Sequence, residues 1–258
     1  MGLAKRIGRA TTVALMAGAA CGALVIAGEV AIARRRAYAK PDPNLAIRTS
    51  HGSAARPTVR LVLLGDSSAL GVGVSQVSDT VGGRLAELLV ADGYRVELSS
   101  VAVVGSRSVD LGTQVARALL GPRPDVAVVL IGAGDAIGLR RPAEAAGALA
   151  AAVGRLRGAG VPVIVGTCPD LGAARAFAAP LRQIVAVLGR RVARAQVAAV
   201  RAAGGVPVDL ATLTGAVFRA DAGTLSPDGY HPSADGYRVW AHVLVPAVRD
   251  AVGVQDHM

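Results

Sequence analysis

The sequence predicts an α/β fold: one domain built on a parallel sheet with helices on both faces. Two observations carry that expectation. From Val59 onward, short apolar runs alternate with longer stretches rich in Ala, Leu and Arg. Strand–helix alternation of this kind implies parallel strands joined by helical crossovers. Glycines also stand where those helices should stop, at Gly93, Gly121, Gly160 and Gly204. The chain has 258 residues, 52% of them hydrophobic, which suits one sizeable core but not comfortably two.

The elements follow in order. Residues 1–36 read as a membrane anchor. Lys5, Arg6 and Arg9 precede an uncharged stretch, Ala10–Gly28, and Arg34–Arg36 close the segment after Glu29 and Val30–Ala33. An apolar run near ~20 residues is what a helix needs to cross the hydrocarbon core. A single-pass transmembrane helix and a cell-membrane location are therefore expected. Basic residues on both flanks leave the orientation open. Two alternatives stand beside the anchor. Ala31-Ile32-Ala33 has the small-x-small pattern of a cleaved signal peptide, and Gly18-Ala19-Ala20-Cys21 is a loose lipobox.

Residues 37–57, with Pro41, Pro43, Gly52 and Pro57, read as a linker. Its His51 is given no role. Residues 58–254 form the folded domain. Strands are expected at Val59–Leu64, Val96–Val101, Val126–Ile131, Val161–Gly166 and Val206–Leu210. Helices are expected at Val81–Asp92, Val109–Leu120, Pro142–Gly158, Ala174–Gly204 and Ala234–Val252. Pro142 suits a first helical turn. Ligands of such sheets sit at the carboxyl ends of the strands, so the segments just after each strand are the places to search.

Charge narrows the function. Residues 1–56 hold nine Lys/Arg and two acidic residues, so +7 of the net +10 lies around the N-terminal apolar segment. That is membrane-flanking charge. A nucleic-acid-binding domain would carry a basic stripe with aromatics on its folded part, and aromatics are only 3% of this chain. The two cysteines, Cys21 and Cys168, can build neither a disulfide framework nor a metal cluster.

Two segments carry chemistry. After the first strand of the domain comes Gly65-Asp66-Ser67-Ser68-Ala69-Leu70-Gly71-Val72-Gly73. A Ser at the end of a buried strand is placed to act as a nucleophile once a base takes its proton, and the small residues around it would let substrate approach the backbone. A plain strand-to-helix turn or an anion cradle is the alternative, but no P-loop lysine follows. Near the C-terminus, Ser226-Pro227-Asp228-Gly229-Tyr230-His231-Pro232-Ser233 puts a carboxylate and an imidazole three positions apart. Asp228 could orient the ring while its other nitrogen faces a nucleophile. An N-cap Asp beside a surface His is the bland reading of that loop.

Taken together, the blocks resemble the SGNH (GDSL-type) hydrolases. Gly65-Asp66-Ser67, Gly105, Gly132-Ala133-Gly134-Asp135 and Asp228-x-x-His231 follow the order and spacing of that family's motifs over about residues 59–250. Gly166-Thr167-Cys168-Pro169-Asp170 looks like an actinobacterial, membrane-anchored branch of it. The resemblance implies a three-layer α/β/α sandwich with a flavodoxin-like parallel sheet. It implies ester hydrolysis through an acyl-enzyme, without metal or other cofactor. By position, Ser67 would be the nucleophile, His231 the general base and Asp228 its orienting carboxylate. The Ser67 and Gly105 amides would stabilise the oxyanion.

The pattern breaks at one place. The third block of the family reads Gly-x-Asn-Asp, its Asn donating a third oxyanion hydrogen bond, whereas here Gly134 occupies that position. Losing one such donor typically costs about 10²–10³ in turnover. A weakened serine esterase acting on a small-molecule or lipid ester is the expectation. A non-catalytic binding or scaffold protein of the same fold is the alternative. Other polar residues receive modest roles. Asp135 caps an element, Asp170 serves a turn, and Arg107 is a solvated side chain. Cys168 and Trp240 are buried, and His242 is exposed on its helix.

Overall fold

The computed structural model describes residues 22–33, 35–42 and 48–253. Residues 22–33 are helical (α1). Strand β1 is Arg48–His51, β2 Thr58–Gly65, β3 Arg95–Ser100, β4 Val126–Leu130, β5 Val163–Gly166 and β6 Val206–Val208. The helices of the domain are α2 Ser67–Leu70, α3 Val81–Ala91, α4 Leu111–Ala118, α5 Ala133–Ile137, α6 Pro142–Gly158, α7 Leu181–Ala202, α8 Leu210–Ala220 and α9 Ala234–Gly253.

The sheet runs β1-β3-β2-β4-β5-β6. Strands β2 to β6 are parallel, in the order of a flavodoxin-like sheet. Side chains of a strand alternate between faces, and β2 shows the result. Leu61 and Leu63 join a core with Val81 and Leu85 of α3 and Trp240 and Leu244 of α9. Val62 and Leu64 join a separate core with Leu111 of α4, Leu149 and Leu156 of α6 and Val200 of α7. Burial on both faces is why these strands read as continuous apolar runs. Three layers follow. The chain leaves β2 for β3 on one side and returns to β4 on the other, so the crevice at the carboxyl end of β2 is the topological switch point.

Several expectations need correction. Part of the segment read as linker is a strand. β1 pairs antiparallel with β3, from Arg48 opposite Ser99 to His51 opposite Val96, so the sheet is mixed. An edge strand needs only one apolar face and one neighbour, which leaves little pattern to read. His51 bonds Thr49 Oγ1 within that strand. The helix expected from Ala174 begins at Leu181, because the residue before Pro180 is biased away from helical backbone. The strand expected at Val206–Leu210 ends at Val208, and helix α8 follows it, because the Asp209 carboxylate accepts the Thr212 N–H as an N-cap. The helix stops at Gly93, Gly160 and Gly204 do take left-handed backbone; Gly121 does not.

Among the described residues, no helix is long and apolar enough to cross a membrane. Cys21 and residues 10–21 of the apolar stretch lie outside the described residues. Helix α1 rests on the domain through Val30 and Ala33, which pack against a third core containing Leu181 and Val185. Glu29 accepts the backbone N–H of Leu181, one of the unmet donors at the start of α7.

Candidate active site

Ser67 is the first residue of α2, directly after β2. Asp66 caps that helix by accepting the Ser68 N–H at 2.9 Å. Asp228 and His231 lie 161 and 164 positions further on, in a loop closed on itself. The Ser226 N–H donates to the His231 carbonyl, and the Gly229 N–H donates to the Ser226 carbonyl. Gly73 lets this loop approach α2. Its φ is +109°, and a Cβ there would meet the Pro232 carbonyl oxygen. Gly73 thus makes room for the histidine loop, while Ser67 and Ser68 line a small cavity beside it.

The geometry joins the two segments. His231 Nε2 is 3.1 Å from Ser67 Oγ, and His231 Nδ1 is 2.6 Å from Asp228 Oδ2. The carboxylate holds the ring proton on Nδ1, so Nε2 is free to accept the serine proton. Asp228 receives four further donors. Oδ1 accepts Ser226 Oγ–H, Tyr230 N–H and His231 N–H, and Oδ2 accepts Ala39 N–H. Burial works to raise its pKa, but the bonds from the His231 ring and these backbone amides outweigh it and hold the carboxyl well below the usual range.

Asp66 behaves in the opposite way. Burial dominates and pushes its pKa up to about 6, with the Ser68 hydrogen bonds opposing. A carboxyl whose folded pKa exceeds the unfolded one favours folding below its ordinary value near 3.8, and that stability is lost as pH rises through about 6. The amide of Asp66→Asn can still accept the Ser68 N–H. The substitution is therefore expected to raise stability above pH 6 by on the order of 3 kcal/mol, and to bring no gain at pH 4. Thermal melts of both proteins at pH 4 and pH 8 check this.

Of the three positions expected to form the oxyanion hole, the structure places Gly134 against the loop that carries Gly105. Gly105 is exposed with φ +78°, a backbone that favours glycine. Gly134 sits in α5 against the next two residues of that loop. A Cβ on it would lie 3.1 Å from the Ser106 carbonyl oxygen and 3.4 Å from Arg107 Cγ.

The sequence of residues 63–239 matches the model of the GDSL-like lipase/acylhydrolase family. The chain belongs to that family. A GDSL-like esterase of Mycobacterium tuberculosis is 45% identical over 197 residues, which cover 75% of this chain and 63% of that relative. This chain therefore spans less than two thirds of the relative's length. A lipase/acylhydrolase from Enterococcus faecalis shares the fold at 20% identity, with a TM-score of 0.60 over 74% of this chain and 96% of that one. An acetyl xylan esterase, AlAXEase, does so at 20% identity, with a TM-score of 0.56 over 74% and 100%.

Within this member of the GDSL family, the groups that brace the site were not read from the sequence. Gln114 is buried. Its Oε1 accepts the Gly65 N–H, and its Nε2 donates to the Gly65 carbonyl and to Ser106 Oγ. One side chain thereby ties the serine strand to the Gly105 loop. Gln196 does the same between the next two strands, accepting the Cys168 N–H and donating to the Ile131 carbonyl. Asp135 does not cap its own helix. Its carboxylate accepts the Ser108 N–H and hydroxyl, locking α5 to the loop after β3. The available signal was a Gln inside an otherwise apolar helix face, because a buried amide needs partners.

The remaining residues divide. Asp170 accepts the Gly172 N–H as a turn cap and also pairs with Arg219. It lines a cavity of about 40 Å³ together with Ser67 and His231. Arg107 is half-buried. Cys168 and Trp240 are buried in apolar clusters as expected. His242 is exposed and bonds the Arg238 carbonyl.

Proposed function

We propose that this chain is a serine esterase that hydrolyses carboxylic esters through an acyl-enzyme on Ser67. The unbroken hydrogen-bond chain from Ser67 Oγ through His231 to Asp228 carries the reading. His231 Nε2 takes the hydroxyl proton as Ser67 Oγ attacks the ester carbonyl. The tetrahedral oxyanion accepts hydrogen bonds from the Ser67 and Gly105 amides. Collapse of the intermediate returns the proton to the departing alcohol. Water activated by His231 then releases the acid and restores the serine. Turnover of short and long p-nitrophenyl esters by the full-length protein tests this. Hydrolysis of none of them would sink it.

Gly134 favours a second reading, a binding protein that keeps the fold. One substitution separates the two. Gly134→Asn adds the missing donor, and a preorganised hydrogen bond acts mainly on the transition state. Its Cβ is tight against Ser106, so that loop must yield by a few tenths of an ångström. The expected result is a rise in kcat of about 10- to 100-fold with KM little changed. A folded variant with no activity in either form would support the binding protein instead.

Membrane attachment through the N-terminal segment belongs to the same reading. Basic residues flank its apolar stretch, and Leu24, Val25 and Ile32 of α1 are exposed. The full-length protein is expected in the pellet after carbonate extraction of membranes. Release of a form beginning near Arg34 would favour a signal peptide, and a lipid mass on Cys21 a lipoprotein.

A further inference from the structure

A groove of about 430 Å³ runs between α1 and α7, within the ~300–1,000 Å³ typical of small-molecule pockets. Its lining is apolar except for two tyrosine hydroxyls. Ile26, Val30, Ala33 and Tyr38 form one wall, and residues of α7 face them. The first wall lies outside the family-matched region, residues 63–239, so it is a feature of this chain's N-terminal segment. Three contacts hold that segment in place. Glu29 accepts the Leu181 N–H, the Arg36 guanidinium donates to the Ala176 carbonyl at 2.7 Å, and the Ala39 N–H donates to Asp228.

The groove adjoins the ester site along two elements, Tyr230 and α5. Tyr230 lines both the groove and the small cavity containing Ser67. Its ring stands edge-on to His231 at 4.9 Å and to Tyr38 at 5.5 Å. On the other side, α5 begins at Ala133 beside Ser67 and ends at Ile137 in the groove. Leu139 follows at the lip, 73% exposed. Among the described residues it is the one non-glycine with left-handed backbone, at φ 53°. A bulky side chain in that conformation is strained, and such strain persists only where the surroundings impose it.

We propose that this groove takes the acyl chain of the ester substrate, and that the N-terminal segment, by forming one wall, sets the chain length accepted. The proposal rests on the esterase reading above and goes beyond it by naming the substrate class as esters of extended apolar acids. The N-terminal segment is then part of the substrate site as well as a tether.

The test compares octanoyl with acetyl p-nitrophenyl esters on the full-length protein. The ratio of their kcat/KM values is expected to favour octanoyl in the wild type. Filling the groove with Val30→Trp or Ile137→Trp should lower that ratio about tenfold or more, since even one methylene excluded from an apolar pocket is worth about tenfold. Leu139→Gly relieves the backbone strain while removing the lip, so its lower ratio would not reflect misfolding. Ratios within about twofold of wild type in all three variants would overturn the proposal. A second arm needs no turnover: calorimetric titration of decanoate into full-length Ser67→Ala. Binding lost in the Val30→Trp background supports the groove, and no binding overturns it. Decanoate binding with an unchanged ester ratio would make the groove a lipid contact outside catalysis and would also overturn the proposal. Absence of any ester hydrolysis would defeat the esterase reading alone, leaving the decanoate arm to decide the groove.

Discussion

Ser67→Ala is expected to lower esterase turnover by about 10⁴- to 10⁶-fold, because the members of a serine triad act as a unit and no covalent intermediate forms without the hydroxyl. An organophosphonate should label the wild type once and fail to label the variant. The fold should survive. Ser67 is half-buried, and among the described residues its side chain bonds His231 alone, so a hydroxyl is lost without opening a cavity. Ser68 is the control. It sits next in the same helix, and its hydrogen bonds run to Asp66. Labelling that persists in Ser67→Ala and disappears in Ser68→Ala would move the nucleophile by one residue.

Asp228→Asn is expected to lower turnover by about 10⁴-fold. The carboxylate accepts five hydrogen bonds, three on Oδ1 and two on Oδ2. An amide must turn its NH₂ toward one of these sets. Facing Oδ2's partners, it meets the Ala39 N–H and forces the His231 proton onto Nε2, where the ring can no longer accept from Ser67. Facing Oδ1's partners, it opposes three donors and opens the loop. Either way a buried donor loses its acceptor, which typically costs ~1–3 kcal/mol. The pH dependence gives a second readout. The folded pKa of Asp228 is depressed, so its stabilisation is present above the ordinary carboxyl value near 3.8 and is lost as pH falls below it. The variant should be less stable than wild type at neutral pH, with the gap closing in acid. A gap that stayed constant from pH 7 to pH 3 would mean that the carboxylate charge contributes nothing there.

Much of this site was legible because its parts are local. Asp228 and His231 share one short loop, and a carboxylate three positions from an imidazole can be read as a pair wherever the chain goes. Ser67 follows a continuous apolar run, and that run, short and set in a strand–helix alternation, reads as a doubly covered strand. Gly134 was legible as a departure from a family pattern, though not as a position pressed against Ser106.

What the sequence by itself determined is therefore the hydrophobic framework: five parallel strands, most helices and their stops, and which polar residues stand at the strand ends. Period and punctuation belong to neighbouring residues, so they survive without knowledge of the fold. The tertiary structure decided every pairing across a long separation. It placed His231 Nε2 against Ser67 and used Gly73 to seat the Pro232 backbone. It aimed Gln114 and Gln196 at backbone groups of distant strands. It also laid residues 37–42, which read as a plain linker, against the Asp228–His231 loop, where the Ala39 N–H joins the donors on Asp228. A polar group declares what it can bond, but its buried partner is chosen by packing of apolar faces many residues away. That is why the linker's place in the site carried no signal in its own composition.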